Sequence, residues 1–270
     1  MDKRNLDIDD TNVSLDLSDA TQAVKENRFK DATTLLNRIL KDQSENIDAL
    51  YLSSVSYRYL KEFDKSERHI MNLLSIAPDM GRAYQELGHL NRDQGNEEKA
   101  VMHYRQACEL NPALLASWNF LYQYFVKYSN KPAADHAKEQ LEKLKSLPGL
   151  LLYITQILNE GRLGLAEEKC RAFLKKNPTH TYAMSLLAEI ANRLGYFDDA
   201  EFLLEKAVEF SPEDGDLRTK YAEILRKKQK FSKTMEQVEI LCEKFPDNLS
   251  YQAQKASEIM QNGDHKQAIT

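Results

Sequence analysis

A period of 34 residues constrains this chain more than any other feature. Pro78 and Pro112 lie 34 positions apart, Pro178, Pro212 and Pro246 repeat that step, and the 66 residues from Pro112 to Pro178 are two periods less two. Small residues keep the same register. Ala32, Ser66, Ala100 and Ala134 step by 34, Ala166 follows after 32, and Ala200, Thr234 and Ala268 resume the longer step. Phe29 with Phe63, Phe197 with Phe231, and the glycines Gly161, Gly195 and Gly263 form further columns. Self-similarity at this length is the signature of a repeat architecture.

Cut on that register, units begin at Val13, Ile47, Gly81, Leu115, Leu147, Thr181, Gly215 and Leu249. The fourth is short by two residues, and the last is incomplete. Each unit holds two amphipathic stretches, such as Ala183–Leu194 and Phe197–Phe210, separated by Gly195-Tyr196 and closed by Ser211-Pro212. Composition decides that these stretches are helices. Leu occurs 36 times against seven Val, and only nine Gly and seven Pro serve 270 residues. Straight-chained residues lose little rotamer freedom in a helix, whereas the β-branched residues that fill sheets are scarce. The expected class is all-α, a series of helix-turn-helix units, most of them stopped by proline. Asn96, Asn130 and Asp198 stand where a side-chain oxygen caps the second helix, with Pro132 near a first-turn position.

The recurrent small residues follow from packing. Two helix axes approach to about 8–10 Å only where the crossing residues are short, so Ala32, Ala100, Ala166, Ala200 and Ala268 let the second helix lie on the first, and Ala20, Ser54, Gly88, Ala188, Ala222 and Ala256 do the same from the first helix. One hairpin cannot bury its own apolar face. Ile39, Leu73, Leu141, Phe173 and Leu241 must be covered by the next pair, which makes a solenoid stabilised by nearest-neighbour contacts.

The run GRAYQELGHLNRDQGNEEKAVMHYRQACELNP, with Tyr84, Leu87, Gly88, Gly95, Ala100, Tyr104, Ala107 and Pro112 in its defining columns, resembles the tetratricopeptide repeat, Asn91 standing in for a usual tyrosine. The resemblance extends over residues 13 to 270. It implies a right-handed α-solenoid of about eight units and a scaffold that binds protein or peptide. A narrower likeness lies in residues 160 to 212 and 226 to 252, which are similar to the repeat region of bacterial proteins that join such repeats to a C-terminal sulfotransferase domain. Leu147-Pro148, Cys170-Arg171, Ala183-Met184 and Gln229-Lys230-Phe231 carry it, all scaffold columns in that family. It implies that this chain precedes a sulfotransferase-type domain. The run Asn262 to Thr270, a second helix stopped after about one turn, fits a missing continuation. The alternative is a self-standing adaptor. A chaperone-tail clamp of Lys and Asn is not assembled, because its columns hold Tyr51, Val55, Glu86 and Arg82, then Gln85, His89, Phe120 and Ala116.

Two units depart from the pattern. Tyr122 and Ile154 occupy the column that elsewhere holds Ala, Ser or Gly, and they bracket the deletion and Pro148-Gly149. Close helix contact is not expected to survive there, so a changed crossing angle or bend is expected between about 120 and 155. Trp118, Phe120, Tyr122, Tyr124, Phe125 and Tyr128 cluster in the same place, as filler for a wider gap or as a recognition patch. Residues 1 to 12, charged and without period, read as a mobile polar tail, although Leu6 and Ile8 have the means to dock on the first unit.

Chemistry leaves few traces. No Gly-rich phosphate loop, His-Glu-x-x-His or Gly-x-Ser-x-Gly appears, so no catalytic residue, cofactor or metal ligand is assigned. The six histidines scatter over different units, and Cys108, Cys170 and Cys242 lack paired spacing, consistent with a reducing, cytoplasmic setting. A net charge of −5 argues against general nucleic-acid binding, and no run of about 18 apolar residues marks a membrane span. What remains is the inner wall formed by the first helices. Its candidate partner-binding residues are Tyr51, Arg58, Gln85, His89, Arg92, Asn119, Gln123, Lys127, Asn192 and Arg193. Its cations serve either as helix C-terminal charges or as a row that receives an acidic or extended segment.

Overall fold

A computed structural model describes residues 3–261, with the side chains of 13 and 15–260. Fifteen α-helices and no strands are present among these residues. The chain divides into two compact units, Met1–Pro148 and Gly149–Thr270. The first holds α1 (Lys3–Lys25), α2 (Phe29–Asp42), α3 (Ile47–Tyr59), α4 (Phe63–Ile76), α5 (Gly81–Asp93), α6 (Glu97–Leu110), α7 (Leu115–Lys127) and α8 (Lys131–Lys145). The second holds α9 (Gly149–Asn159), α10 (Leu163–Lys176), α11 (Thr181–Arg193), α12 (Phe197–Phe210), α13 (Gly215–Lys227), α14 (Phe231–Lys244) and α15 (Leu249–Gln261). Helix thus begins at Lys3, ahead of the first repeat boundary at Val13. The truncated final helix expected over residues 262 to 270 lies outside the described residues, with its Ala268 and Gly263.

Lengths are nearly invariant. The second helices α2, α4, α6, α10, α12 and α14 have 14 residues each, and the first helices α3, α5, α7, α11, α13 and α15 have 13. The two-residue shortage is absorbed around Pro148, where α8 has 15 residues and α9 only 11. In the first unit every hairpin packs on the next, and the first helices α1, α3, α5 and α7 touch in succession, whereas their second helices make no comparable contacts. The first helices therefore form the inner side of that stack.

Five of the hairpins cross through a pair of residues 16 apart, small on the first helix and large on the second. Ala20 with Leu36, Ser54 with Ile70, Gly88 with Tyr104, Ala188 with Leu204 and Ala222 with Val238 are all buried. Gly88 shows why. A Cβ there would come within 2.8 Å of the Tyr104 ring. Ser66, in the small column of the second helix, donates its hydroxyl to the Ser54 carbonyl at 2.8 Å.

The helices still pack on one another at Tyr122 and at Ile154, although α9 and α10 meet less extensively than the two helices of any other hairpin. Opposite Ile154 the second helix carries Cys170, both fully buried, so the large and small partners have exchanged helices and α9 still packs on α10. Opposite Tyr122 stands the flexible, exposed Lys138, and α7 still packs on α8. There the space is incompletely filled, leaving a cavity of about 360 Å³ lined by Tyr122, Phe125 and Lys138.

The seven turns between first and second helices share one backbone device. Asn27, Lys61, Gly95, Ser129, Gly161, Gly195 and Gln229 all have positive φ, between 55° and 82°. The next residue donates back across the turn, as in Glu62 N–H to the Tyr57 carbonyl at 2.9 Å and Lys230 N–H to the Leu225 carbonyl at 2.9 Å. This is the left-handed C-cap that closes helices. The column holds glycine only three times, so Lys61, Ser129 and Gln229 bear steric strain that glycine relieves.

Capping differs from the sequence expectation. Asn130 accepts from Ala133 N–H at 3.3 Å, but Asn96 caps α6 without a side-chain bond, and Asp198 lies inside α12, whose cap is Tyr196. Asn46 and Asp214, the caps of α3 and α13, have extended backbone, with ψ of 106° and 103°, and their side chains fold back onto Ala49 and Leu217 N–H at 3.0 and 3.1 Å. Asn96 and Tyr196 leave the αL turn with ψ of 69°, away from the extended geometry a capping side chain uses.

Two sets of variants test this packing by urea unfolding. Lys61→Gly and Gln229→Gly should each stabilise their unit by roughly 1 kcal/mol, the left-handed penalty removed less the entropy glycine adds to the unfolded chain. Gly88→Ala should destabilise by about 1–3 kcal/mol, as overpacked cores do. Unchanged stability for Gly88→Ala would mean that the crossing has slack the geometry denies.

Candidate functional site

The inner-wall residues chosen from sequence fall on α3, α5 and α7 of the first unit, with Asn192 and Arg193 on α11 of the second. Helical periodicity brings the first group onto adjacent turns, but their availability differs sharply. Arg58 is buried. Its Nε donates to the Glu86 carboxylate at 2.5 Å and a terminal nitrogen to Asp93 at 2.9 Å, and its guanidinium lies over the Tyr59 ring. With Arg58 6% and Glu86 2% exposed, this is a buried ion pair between neighbouring repeats, closed to a partner. The two carboxylates hold the Arg58 charge against its burial, keeping its pKa above the ordinary arginine range.

His89 is committed as well. Its Nδ1 lies 2.5 Å from the Tyr104 hydroxyl. Burial, with the nearby Arg58 and Arg92 charges, drives its pKa down to about 3. The imidazole is therefore neutral and shares a hydrogen bond with the Tyr104 hydroxyl, whose own pKa burial raises. Gln85 accepts from the Ser117 hydroxyl at 3.0 Å, and Tyr51 lies under the Arg82 guanidinium.

The basic edge is paired. Arg92 meets Asp93 at 2.7 Å, Lys127 meets Glu97 at 2.8 Å, and Arg193 meets Glu189 at 2.7 Å and the Leu158 carbonyl at 3.1 Å. Lys227 donates to Asn192 at 2.8 Å, and Arg226 pairs with Glu258. Many partners lie 30 or 35 residues apart: Lys127 with Glu97, Lys228 with Asp198, Arg58 with Asp93, and Lys220 with Ser185. The charges near first-helix C-termini thus reach across one repeat. Glu97 and Asp198, read from sequence as dipole partners of their own helices, answer cations of the following hairpin.

Asn119 and Gln123 remain. Both are exposed on α7, one turn apart, and neither makes a hydrogen bond among the described residues.

The aromatic cluster separates into two parts. Phe120 packs on Tyr104 at 4.4 Å between centroids, and Tyr124 continues the row to Tyr128 at 4.5 Å. Trp118 faces elsewhere. Its indole N–H donates to the Pro112 carbonyl at 2.9 Å, and its ring meets His136 edge to face at 5.5 Å. Burial pushes the Cys108 thiol nearby up to about 12 and the Cys170 thiol up to about 11, so neither forms a reactive thiolate near neutral pH. Among the described residues no group of three or more His, Cys, Asp or Glu could hold a metal ion, and no helix is long and apolar enough to cross a membrane.

Two segments match the family model described as Tetratricopeptide repeat, residues 81–114 and 182–214. They coincide with the α5–α6 and α11–α12 hairpins, so the chain carries this repeat in both units. It is similar to a DnaJ homolog subfamily C member 7 homolog of Dictyostelium discoideum, 23% identical over 231 residues, 80% of this chain. The chain spans 38% of that curated relative's length. Among solved structures it is similar to Naa15/Naa10 bound to HypK-THB, 15% identical over 92% of this chain and 39% of that one, with a TM-score of 0.44. It is also similar to TTC0263, a thermophilic TPR protein of Thermus thermophilus, 18% identical over 92% of this chain and 99% of that one, TM-score 0.35. The APC/C hetero-tetramer Cut9-Hcn1 is 14% identical over 89% of this chain and 48% of that one, TM-score 0.42.

The buried groups make two predictions. Removing Arg58 strands Glu86, so Arg58→Ala should cost the first unit about 3–5 kcal/mol, measured by urea unfolding. His89 is neutral when folded but titrates near 6.5 when unfolded. The unfolded chain therefore takes up a proton that the folded chain refuses, and stability declines as pH falls from about 6.5 toward 3, by up to about 1.4 kcal/mol per pH unit. His69 and His103, also lowered by burial, act in the same direction. His89→Gln should reduce the slope between pH 6.5 and 4.5, and an unaltered slope would assign the titration to other groups.

Proposed function

We propose that this chain is a non-catalytic tetratricopeptide-repeat scaffold that holds an extended segment of a partner protein on the inner face of its first unit. The observation that carries this reading is the pair Asn119 and Gln123, exposed on successive turns of α7 and without an internal partner among the described residues. A carboxamide offers both donor and acceptor, the complement of a peptide group. Two spaced one helical turn apart suit a backbone that runs past without secondary structure of its own.

Charge gives weaker support to an acidic ligand. Arg92, Lys127 and Arg193 already hold carboxylates, so an acidic segment must displace Asp93, Glu97 and Glu189. Exchanging one exposed ion pair for another gains little. Arg58 and His89 support the wall from beneath, while Tyr51, Gln85 and Asn192 are already engaged within the fold.

The narrower reading, a region preceding a sulfotransferase-type domain, rests on residues 160 to 212 and 226 to 252. Cys170, Leu186, Leu187, Ala188 and Ile190 within that stretch are buried packing residues. Their identity answers to the repeat core, and they lend that lineage no independent support. A segment of the parent protein and a separate partner are both served by the same wall.

Selection of a displayed random peptide library on the immobilised chain tests the proposal. Recovered peptides should bind the Asn119→Ala/Gln123→Ala variant roughly tenfold or more weakly, the loss of two hydrogen bonds of about 1 kcal/mol each, with modest dependence on salt. Full retention of binding would place the site elsewhere. Binding that collapses with salt and with Lys127→Glu would establish the acidic ligand instead.

A further inference from the structure

Away from the inner wall, a cavity of about 450 Å³ lies where α6, α7 and α8 meet. Its floor is apolar: Trp118, Leu121, Phe125 and the buried Cys108. Its rim carries Arg105, Glu109 and His136, all exposed. The size falls within the range of pockets that enclose small organic ligands, and so does the composition, a hydrophobic interior with a few convergent polar groups.

Three features give this cavity a specific chemistry. The Trp118 indole N–H is already satisfied by the Pro112 carbonyl, which fixes the ring and leaves it no further donor to offer an occupant. The Arg105 guanidinium lies over the Phe125 ring, 5.1 Å from its centroid, and makes no ion pair among the described residues. A guanidinium stacked on a ring keeps its N–H edge open for a carboxylate. Glu109 follows Arg105 by four positions on α6, the spacing at which opposite charges commonly pair along a helix, yet no ion pair of Glu109 is formed among the described residues. An unpaired cation and an unpaired anion thus stand side by side over an aromatic floor.

We propose that this cavity binds a small aromatic zwitterion, of the class of a free aromatic α-amino acid. The ring lies against Trp118 and Phe125, the carboxylate meets Arg105 and the ammonium meets Glu109. Binding displaces water from the apolar floor and satisfies both rim charges at once, which a purely apolar or singly charged ligand does not do.

Trp118 is the chain's single tryptophan, so its emission reports this site directly. L-phenylalanine, which is nearly dark at the wavelengths that excite indole, should change that emission saturably in the full chain. N-acetyl-L-phenylalanine amide lacks both charges, 3-phenylpropionate lacks the ammonium and phenethylamine lacks the carboxylate. Each should bind at least about tenfold more weakly, one charge-assisted hydrogen bond being worth about 1.5–3 kcal/mol. Arg105→Gln should erase the advantage of L-phenylalanine over phenethylamine, and Glu109→Gln its advantage over 3-phenylpropionate. Both residues are exposed, and unchanged circular dichroism would confirm that the variants fold. Absence of a saturable response overturns the proposal. Equal binding of the neutral amide also overturns it, because the cavity would then be an apolar anchor for a residue within a polypeptide.

Discussion

A two-helix hairpin has one apolar face it cannot cover and one crossing it cannot widen, and every other feature of this protein follows from those two limits. The crossing is met by pairing a small residue on the first helix with a large one on the second, most tightly at Gly88 and Tyr104. The uncovered face is met by the neighbouring hairpin. Because both solutions recur at the same positions, stability is distributed along the chain rather than gathered into one centre. The exchange of large and small at Ile154 and Cys170 shows that the rule concerns the pair and not the column. Where Tyr122 faces Lys138 instead, the space stays partly open.

Regular packing also organises the charges. Since successive first helices on the inner side of the first unit touch, a side chain near the end of one reaches the next repeat, and the buried Arg58–Glu86 pair is the most enclosed case. Around it the outer ion pairs consume most of the basic edge. The inner surface is consequently less cationic than its sequence suggests, and of the residues picked out there Asn119 and Gln123 are the ones left unengaged among the described residues. Under the function we propose, recognition by such a surface reads backbone shape more than net charge.

How much of this was legible in the sequence divides along physical lines. The all-helical repeat was open to inspection because proline stops and small crossing residues recur 34 positions apart in most units. The left-handed turn was visible only at the glycines. At Lys61, Ser129 and Gln229 the chain tolerates strain that no residue preference announces. Asn96 misled because side-chain capping depends on the backbone angle at the cap, and Asp198 because the helix begins at Phe197, one residue ahead of it. Arg58 and His89 looked like surface groups because they stand in the inward columns. Their partners, Glu86 and Tyr104, lie on a different helix in each case, and only the stacking of elements brings them together. A search for opposite charges one repeat apart was the signal that would have exposed Arg58.

Each hairpin is held by its own crossing and by its immediate neighbours, so a disturbance at one crossing stays local. Native-state hydrogen exchange on Ala100→Leu, a substitution that overfills the α5–α6 crossing at a fully buried position, tests it most directly. The account predicts lost protection in α5 and α6, a smaller loss in α4 and α7, and none in α11 to α14. A uniform loss of protection through all the helices would contradict it, because that is how a single cooperative core responds.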